Sequence, residues 1–344
     1  MPRAGHRTTS FDVAKAAGTS RTTVSLVLNN VPDINISEAT RQRVLEAARA
    51  LNYFPDATGK KLVSGKSYTL GLVLRQSSAQ VFADAFLLQV LLGVEQAAAQ
   101  QGFHVLLRAL APEDTGGYSR LIHENHVDGI ILSGPRQDDA DLIHLREAGV
   151  PIMLMGQLPG SDIPFVDIDA VRDAKMAVNH LIETGHNQIG MITNAPLAYV
   201  SAQQRREGYE AALKDHGIAI RPEFLVEGNY TPESGLQAMT QLLALPQRPS
   251  AVFVASDVVA MGAVRAVKRA GLEIPQDVAI VGFDDIPLAE YFDPPLSTIH
   301  LPAYGLGWAA AERLIRIVKS EGLDQIGILL TSELVIRQSS SGVG

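Results

Sequence analysis

The chain has no cysteine among its 344 residues. That excludes disulfides, thiolate metal sites, a redox pair and a cysteine nucleophile, and it suits a reducing compartment. Long apolar runs are missing as well, since none approaches the roughly 18 residues of a membrane helix. The start, Met1-Pro2-Arg3-Ala4-Gly5-His6-Arg7, is basic but leads into a polar stretch and not into the apolar core of a signal peptide. The expectation is a cytoplasmic protein with no membrane partner.

Catalytic signatures are equally scarce. No G-x-G-x-x-G or G-x-S-x-G stands in a suitable context. Gly59…Gly65-Lys66-Ser67 imitates a phosphate-binding loop, but five residues intervene where four are required, and the segment precedes a strand instead of following one. His123 and His126 are spaced i, i+3 and read as a solvated helix face, not a metal site. His180 and His186 flank a helix C-terminus and read as structural partners of its dipole. No catalytic residue, metal or cofactor is expected, and the chain does not read as an enzyme.

What is present is an ordinary globular composition, 46% hydrophobic and 19% charged, in a length that favours two or three domains. Net charge is −8, but it is unevenly spread. Residues 1–66 hold 10 of the 29 basic residues and 5 of the 37 acidic ones, a surplus of +5, leaving 19 basic and 32 acidic residues, or −13, for the rest. A basic head on an acidic body is the footprint of a nucleic-acid-binding module joined to something else.

Within the head, residues 9–29 predict two short helices. Thr9 or Ser10 caps the first, in which Phe11, Ala14 and Ala17 recur at helical spacing. Gly18-Thr19-Ser20 stops it and starts the next, whose apolar stripe is Val24, Val27 and Leu28. Ser37 caps a third helix running to about Leu51. Two helices across a short glycine-containing turn, with a third packed on them, form an all-α helix-turn-helix over residues 1–54. Its second helix would enter the major groove. Arg21 could grip guanine or a phosphate, and Thr22 could touch a thymine methyl. Thr9, Ser20, Thr23, Ser25 and Asn29 suit phosphate positioning. Residues 55–67 are linker-like and basic.

From residue 68 to 344 the pattern alternates. Apolar runs at Leu70–Leu74, Val105–Leu107, Gly129–Leu132, Ile152–Met155, Ile189–Ile192, Ala251–Ala255 and Val278–Phe283 are separated by helical stretches. This predicts parallel sheets covered by helices, and the length predicts two α/β lobes.

The head segment Ser10-Phe11-Asp12-Val13-Ala14-Lys15-Ala16-Ala17-Gly18-Thr19-Ser20-Arg21-Thr22-Thr23-Val24-Ser25-Leu26-Val27-Leu28-Asn29 resembles the lactose/galactose repressor (LacI/GalR) family, whose heads read close to DVAxxAGVSxxTVSRVLN. The resemblance continues through Ser37–Val44, Leu51-Asn52-Tyr53-Phe54-Pro55, His180–His186, Arg205-Arg206-Glu207-Gly208-Tyr209, Ala255-Ser256-Asp257 with Met261-Gly262-Ala263, Val281–Pro287 and Pro294–Ile299. It covers nearly the whole chain in order.

The resemblance implies a two-lobed body like the sugar-binding lobes of periplasmic binding proteins. A ligand would sit between the lobes, at the carboxyl ends of the strands. It carries effector binding onto Arg205 and Asp284, with Ser256 beside them and Phe86 as a stacking or core residue. Asp257 reads as the cap of the next helix. Leu62 aligns with the leucine that wedges into the minor groove. Leu26 stands where the family has a base-reading arginine. Gly59 replaces an alanine in the hinge helix at about 1 kcal/mol, so the hinge is expected to order only on DNA. Gly156 stands where some sugar-binding relatives have a carboxylate.

The function implied is a repressor of carbohydrate-related genes. A homodimer would read near-palindromic double-stranded operator DNA under control of a small effector, a sugar or sugar derivative. The alternatives are a solute-binding protein of a sugar transport system, which would need an export signal and has no use for a basic head, and an α/β enzyme with an accessory DNA-binding domain, for which no nucleophile or metal cluster is visible.

Overall fold

The computed structural model describes residues 8–28, 35–53 and 66–341, except for 112, 115, 125 and 138. The chain divides into two compact units, Met1–Tyr68 and Thr69–Gly344. Asn29, Gly59 and Leu62 and most of the 55–67 linker fall outside the described residues.

The first unit is helical: α1 (Ser10–Ala17), α2 (Arg21–Leu28) and α3 (Glu38–Ala50). Its ends obey local chemistry. The Asp12 carboxylate accepts from the Thr9 amide at 2.9 Å, Gly18 takes a left-handed φ of 63° to end α1, and Ser20 accepts from the Thr23 amide at 3.0 Å to start α2. Val13, Ala14, Ala17, Val24, Val27, Val44 and Ala48 form the core. Phe11, expected on the inward stripe, is 61% exposed, and Val13 takes the buried place instead. A helix of eight residues presents only one narrow face to its neighbours, and that face runs through Val13, Ala14 and Ala17.

The second unit contains two six-stranded sheets. The first is built from β1 (Thr69–Leu74), β2 (His104–Ala109), β3 (Gly129–Ser133), β4 (Ile152–Met155), β5 (Phe165–Ile168) and β11 (Gly327–Leu330) in the order β11-β5-β4-β3-β1-β2, parallel throughout. The second contains β6 (Ile189–Ile192), β7 (Leu225–Val226), β8 (Ala251–Val254), β9 (Ala279–Asp284), β10 (Ser297–His300) and β12 (Glu333–Val335) in the order β12-β10-β9-β8-β6-β7, with only β12 antiparallel. Each apolar run seen in the sequence is one of these strands. Strands such as β8 and β9, buried at every residue, read as continuous apolar runs because both sheet faces are covered.

The same winding is used twice. In each lobe the second strand lies outside the first and the third lies on its other side, so the order reverses between the first and third strands. Such a switch point opens a crevice at the carboxyl ends of the strands. The chain passes between lobes three times, near 168–170, 300–303 and 330–333. Helices α4 (Ser78–Ala83), α5 (Ala85–Gln100), α6 (Gly117–His123) and α7 (Ala140–Glu147) belong to the first lobe, with α12 (Ala303–Val318) returning to it. Helices α8 (Ala170–Glu183), α9 (Val200–Asp215), α10 (Pro232–Leu243) and α11 (Asp257–Arg269) cover the second. Helices α5 and α12 cross backbone to backbone: a Cβ at Gly93 would meet the Tyr304 carbonyl at 2.1 Å, and one at Gly307 the Val90 carbonyl at 2.1 Å. No helix among the described residues is long and apolar enough to cross a membrane.

Two histidine readings change. α6 ends at His123, so His126 does not share a helix face with it. His180 and His186 are not cationic partners of a dipole. Burial lowers both pKa values, and each ring bonds a hydroxyl: His180 Nε2 lies 2.8 Å from Ser340 Oγ, and His186 Nδ1 lies 2.9 Å from Ser250 Oγ.

Candidate functional site

The head offers one polar face. Arg21 and Thr22 are exposed at the start of α2, and Ser25 and Leu26 follow one turn later, half-buried. These positions lie opposite the buried Val24 and Val27. Arg21 Nε donates to Ser10 Oγ at 3.3 Å, which holds the guanidinium against the start of α1. The hydroxyls of Ser20 and Thr23 lie 2.9 Å apart and serve the α2 cap, while Thr9 Oγ1 donates to Asp12 at 2.7 Å. All three hydroxyls are thus engaged in local hydrogen bonds. Arg43 Nε donates to the Ala17 carbonyl at 3.3 Å, tying α3 to the end of α1.

The body holds a partly open cavity of about 100 Å³ between the two lobes. Phe86, Arg205, Ser256 and Asp284, four residues far apart in the chain, all line it. So do residues the sequence reading passed over. Gln76 follows β1, Gly134 and Pro135 follow β3, and Asn194 follows β6, all at strand carboxyl ends flanking the two switch points. A polar residue one or two places after an apolar run was the signal available for Gln76 and Asn194. Asp84, Asp167, Gln157 and Tyr230 complete the polar wall.

Asp284 ends β9 with φ 122°, and Asp285 follows at φ 54°, conformations that L-residues with side chains rarely adopt. The strained turn is held by Asp257. Its buried carboxylate accepts from the Phe283 amide at 2.9 Å, the Ile286 amide at 3.0 Å and Thr298 Oγ1 at 2.7 Å. Asp257 is therefore not the helix cap the sequence suggested; Ser256 occupies the N-cap position and Asp257 braces the neighbouring strand end. Asp285 is fixed from the other side by Arg337 at 2.8 Å and His300 at 3.0 Å.

Arg205 comes from α9. Its guanidinium lies 4.0 Å over the Phe283 ring, donates to the Ala255 carbonyl, and stands 3.8 Å from Asp284 Oδ1. Three carboxylates surround it. Burial pushes Asp84 and Asp167 up to about 6, and it pushes Asp284 well above the ordinary carboxylate range, with Arg205 opposing the rise. Asp84 caps α5 by accepting from the Phe86 amide at 2.9 Å, and Asp167 accepts from Gln157 Nε2 at 3.1 Å. Gln76 Oε1, Asn194 Oδ1 and Arg205 Nε are buried in this wall without a partner. Phe86 half-fills both roles left open for it, since it lines the cavity and also packs on the core of the opposite lobe. Gly156 lines the cavity with φ 110°, and a Cβ there would meet Pro135 at 3.0 Å. Glycine suits that backbone, and the wall has no carboxylate at the position.

One rim of the cavity is latched. The Val200 amide donates to the Pro135 carbonyl at 3.2 Å, the Gln137 amide to the Ala198 carbonyl at 3.3 Å, and the buried Tyr199 hydroxyl to the Arg75 carbonyl. On the other rim Gln80 Nε2 donates to the Asn229 carbonyl at 3.0 Å. The lobes are thus joined at both rims by backbone and side-chain hydrogen bonds, with the Arg136 guanidinium over the Tyr199 ring at 5.3 Å. Among the described residues no cluster of histidines and carboxylates could hold a metal ion.

A helix-turn-helix head carried on a two-lobed body with a polar inter-lobe cavity is the architecture of a DNA-binding regulator. Residues 11–56 match the bacterial regulatory proteins of the lacI family, and residues 178–340 match the periplasmic binding protein-like domain. The HTH-type transcriptional repressor CytR of Escherichia coli strain K12 is 37% identical over 335 residues, 96% of each chain. The solved complex of the transcriptional regulator CelR with cellobiose matches with a TM-score of 0.74 at 32% identity, over 97% of this chain and 100% of that one. The Lac repressor dimer bound to operator and the anti-inducer ONPF matches with a TM-score of 0.85 at 28% identity, over 97% and 99%. The chain belongs to the lacI family of bacterial regulatory proteins. It is a DNA-binding transcriptional regulator and not an enzyme, and the match of its head sets aside the transport-protein alternative.

Proposed function

We propose that the chain is an effector-controlled repressor of carbohydrate-related genes, acting in the cytoplasm as a homodimer on near-palindromic operator DNA. The observation that carries the effector half of this reading is the unpartnered set in the cavity. Gln76 Oε1, Asn194 Oδ1 and Arg205 Nε are buried without hydrogen bonds, and such groups are costly unless something fills their valences. A small polar ligand would fill them. Arg205, Asp284 and Ser256 would hold its hydroxyls, and Phe86 would cover one face of its ring.

Residues 1–54 form the reading head and 55–67 the hinge in this proposal. Arg21 and Thr22 address base edges, and Leu26 contributes apolar contact where relatives place an arginine. Thr9, Ser20, Thr23, Ser25 and Asn29 position the head on phosphates. Gly59 and Leu62 act at the hinge, Leu62 as a wedge in the minor groove. CelR and the Lac repressor, named in complexes with cellobiose and with operator, support the same pair of partners here. An effector that prefers one arrangement of the lobes shifts operator affinity, and operator shifts effector affinity by the same factor, typically about 5–150-fold.

The test is selection of genome fragments by the purified protein at fixed salt, because backbone binding alone varies steeply with salt. An enriched near-palindrome beside carbohydrate genes is the expected result. Retention of fragments without a shared sequence would remove the reading.

A further inference from the structure

The cavity wall is electrically lopsided. Asp84 and Asp167 project from the first lobe and Asp284 from the second, and Arg205 is the one cationic side chain among the described residues that line it. The guanidinium is already occupied on two sides, by the Phe283 ring and the Ala255 carbonyl. What remains open is its Nε, together with Gln76 Oε1 and Asn194 Oδ1. Both amide residues are more than nine-tenths buried, at 8% and 2% exposure.

We propose, resting on the reading of this cavity as the effector site, that Asp84 and Asp167 are specificity-determining residues that make the cleft select an uncharged polyhydroxyl ligand and reject phosphorylated or carboxylated ones. Ionised carboxylates accept hydrogen bonds and cannot donate. A ligand that offers several O–H donors satisfies Asp84 and Asp167, and one of its oxygens accepts from Arg205 Nε. An anion would bring a further negative charge beside Asp84 and Asp167, against which Arg205 is the one cationic side chain among the described lining residues. The Coulomb cost falls on the ligand, because the aspartates are bound into the fold: Asp84 caps α5 and Asp167 sits within β5 beside Gln157.

The experiment uses the full chain and, as its probe, a total small-molecule extract of bacterial cells grown on mixed carbohydrates and nucleosides. Protein and extract are equilibrated, the complex is separated by ultrafiltration, and the retained compounds are released and weighed by mass spectrometry. Arg205→Ala with Asp284→Ala serves as the control. Enrichment of an uncharged polyol over the control is expected. Enrichment of a phosphate, carboxylate or amine overturns the proposed selectivity while leaving the cavity as the effector site. No enrichment over the control removes the effector reading itself, and this proposal with it.

A second arm assigns the selectivity to residues. Asp84→Asn with Asp167→Asn retains the cap, because asparagine caps helices as well as aspartate does. The ratio of affinities for the phosphate ester of the enriched polyol and for the polyol is expected to rise roughly ten- to a hundredfold. A ratio unchanged in this variant, and in Asp167→Asn alone, overturns the role given to the two aspartates.

Discussion

Asp284 Oδ1 and the Arg205 guanidinium face each other at 3.8 Å, close enough to act as charges and too far apart to share a hydrogen bond. Neither closes on the other because each is held elsewhere. Arg205 is drawn to the Ala255 carbonyl and the Phe283 ring, and Asp284 is set by the strained end of β9.

Asp284→Asn keeps the shape of that side chain and removes its charge. We predict that operator affinity without effector stays within about twofold of wild type, while the shift caused by an active metabolite fraction falls at least about tenfold. Fluorescence anisotropy on an operator duplex reads both quantities. A normal shift would place the ligand elsewhere.

Asp257 makes a different prediction, because it braces the turn without needing to touch a ligand. Asp257→Ala leaves the amides of Phe283 and Ile286 buried and bare. At about 1–3 kcal/mol for each, unfolding free energy should drop by about 2–6 kcal/mol in denaturant titration. An unchanged midpoint would mean that the strained turn holds without it.

The pH dependence follows from Asp84 and Asp167, both raised by burial to about 6, against about 3.9 in an unfolded chain. A raised carboxyl pKa means the folded body takes up protons. Its stabilising contribution is full below about pH 4 and is lost as pH rises through about 6. Melting temperature should therefore decline over that window more steeply in wild type than in Asp84→Asn with Asp167→Asn. Equal slopes would show that closure of the lobes does not desolvate these groups.

In the head, Arg21→Ala should weaken specific operator binding by about 1–3 kcal/mol if the guanidinium reads a base. The same loss on every sequence, with a salt slope lower by about one, would instead assign it to a phosphate. Leu26→Arg should change the preferred base at one position of each half-site, which selection from a randomised operator would show. Unaltered preference would place Leu26 away from the groove.

Much of this protein is legible before folding. The caps at Thr9, Ser20 and Ser37 and the left-handed Gly18 are local devices, and they mark the three head helices. Seven strands announce themselves as apolar runs. Of the five other strands, β5 contains Asp167, β10 begins Ser297-Thr298, β7 has two residues and β12 three, while β11, Gly327-Ile328-Leu329-Leu330, is as apolar and as long as β6 and was open to the same reading. For β5, β7, β10 and β12 little within the segment distinguishes it from a loop, and pairing with a neighbour makes it a strand. Phe11 went the other way, since helical spacing names a stripe but not which of two adjacent stripes turns inward.

The two-part organisation and the parallel α/β class are written in short-range features of the chain, its charge distribution, caps and apolar runs, whereas Arg205, Ser256 and Asp284 stand out as candidates through the family resemblance, Asp284 also by its place at the end of an apolar run. Only the tertiary structure decided that Asp84 and Asp167 join them around one guanidinium, and that Asp257 supports β9 instead of capping its own helix. Those meetings depend on two sheets presenting their carboxyl ends to each other across three chain crossings, a long-range arrangement that no window of sequence contains.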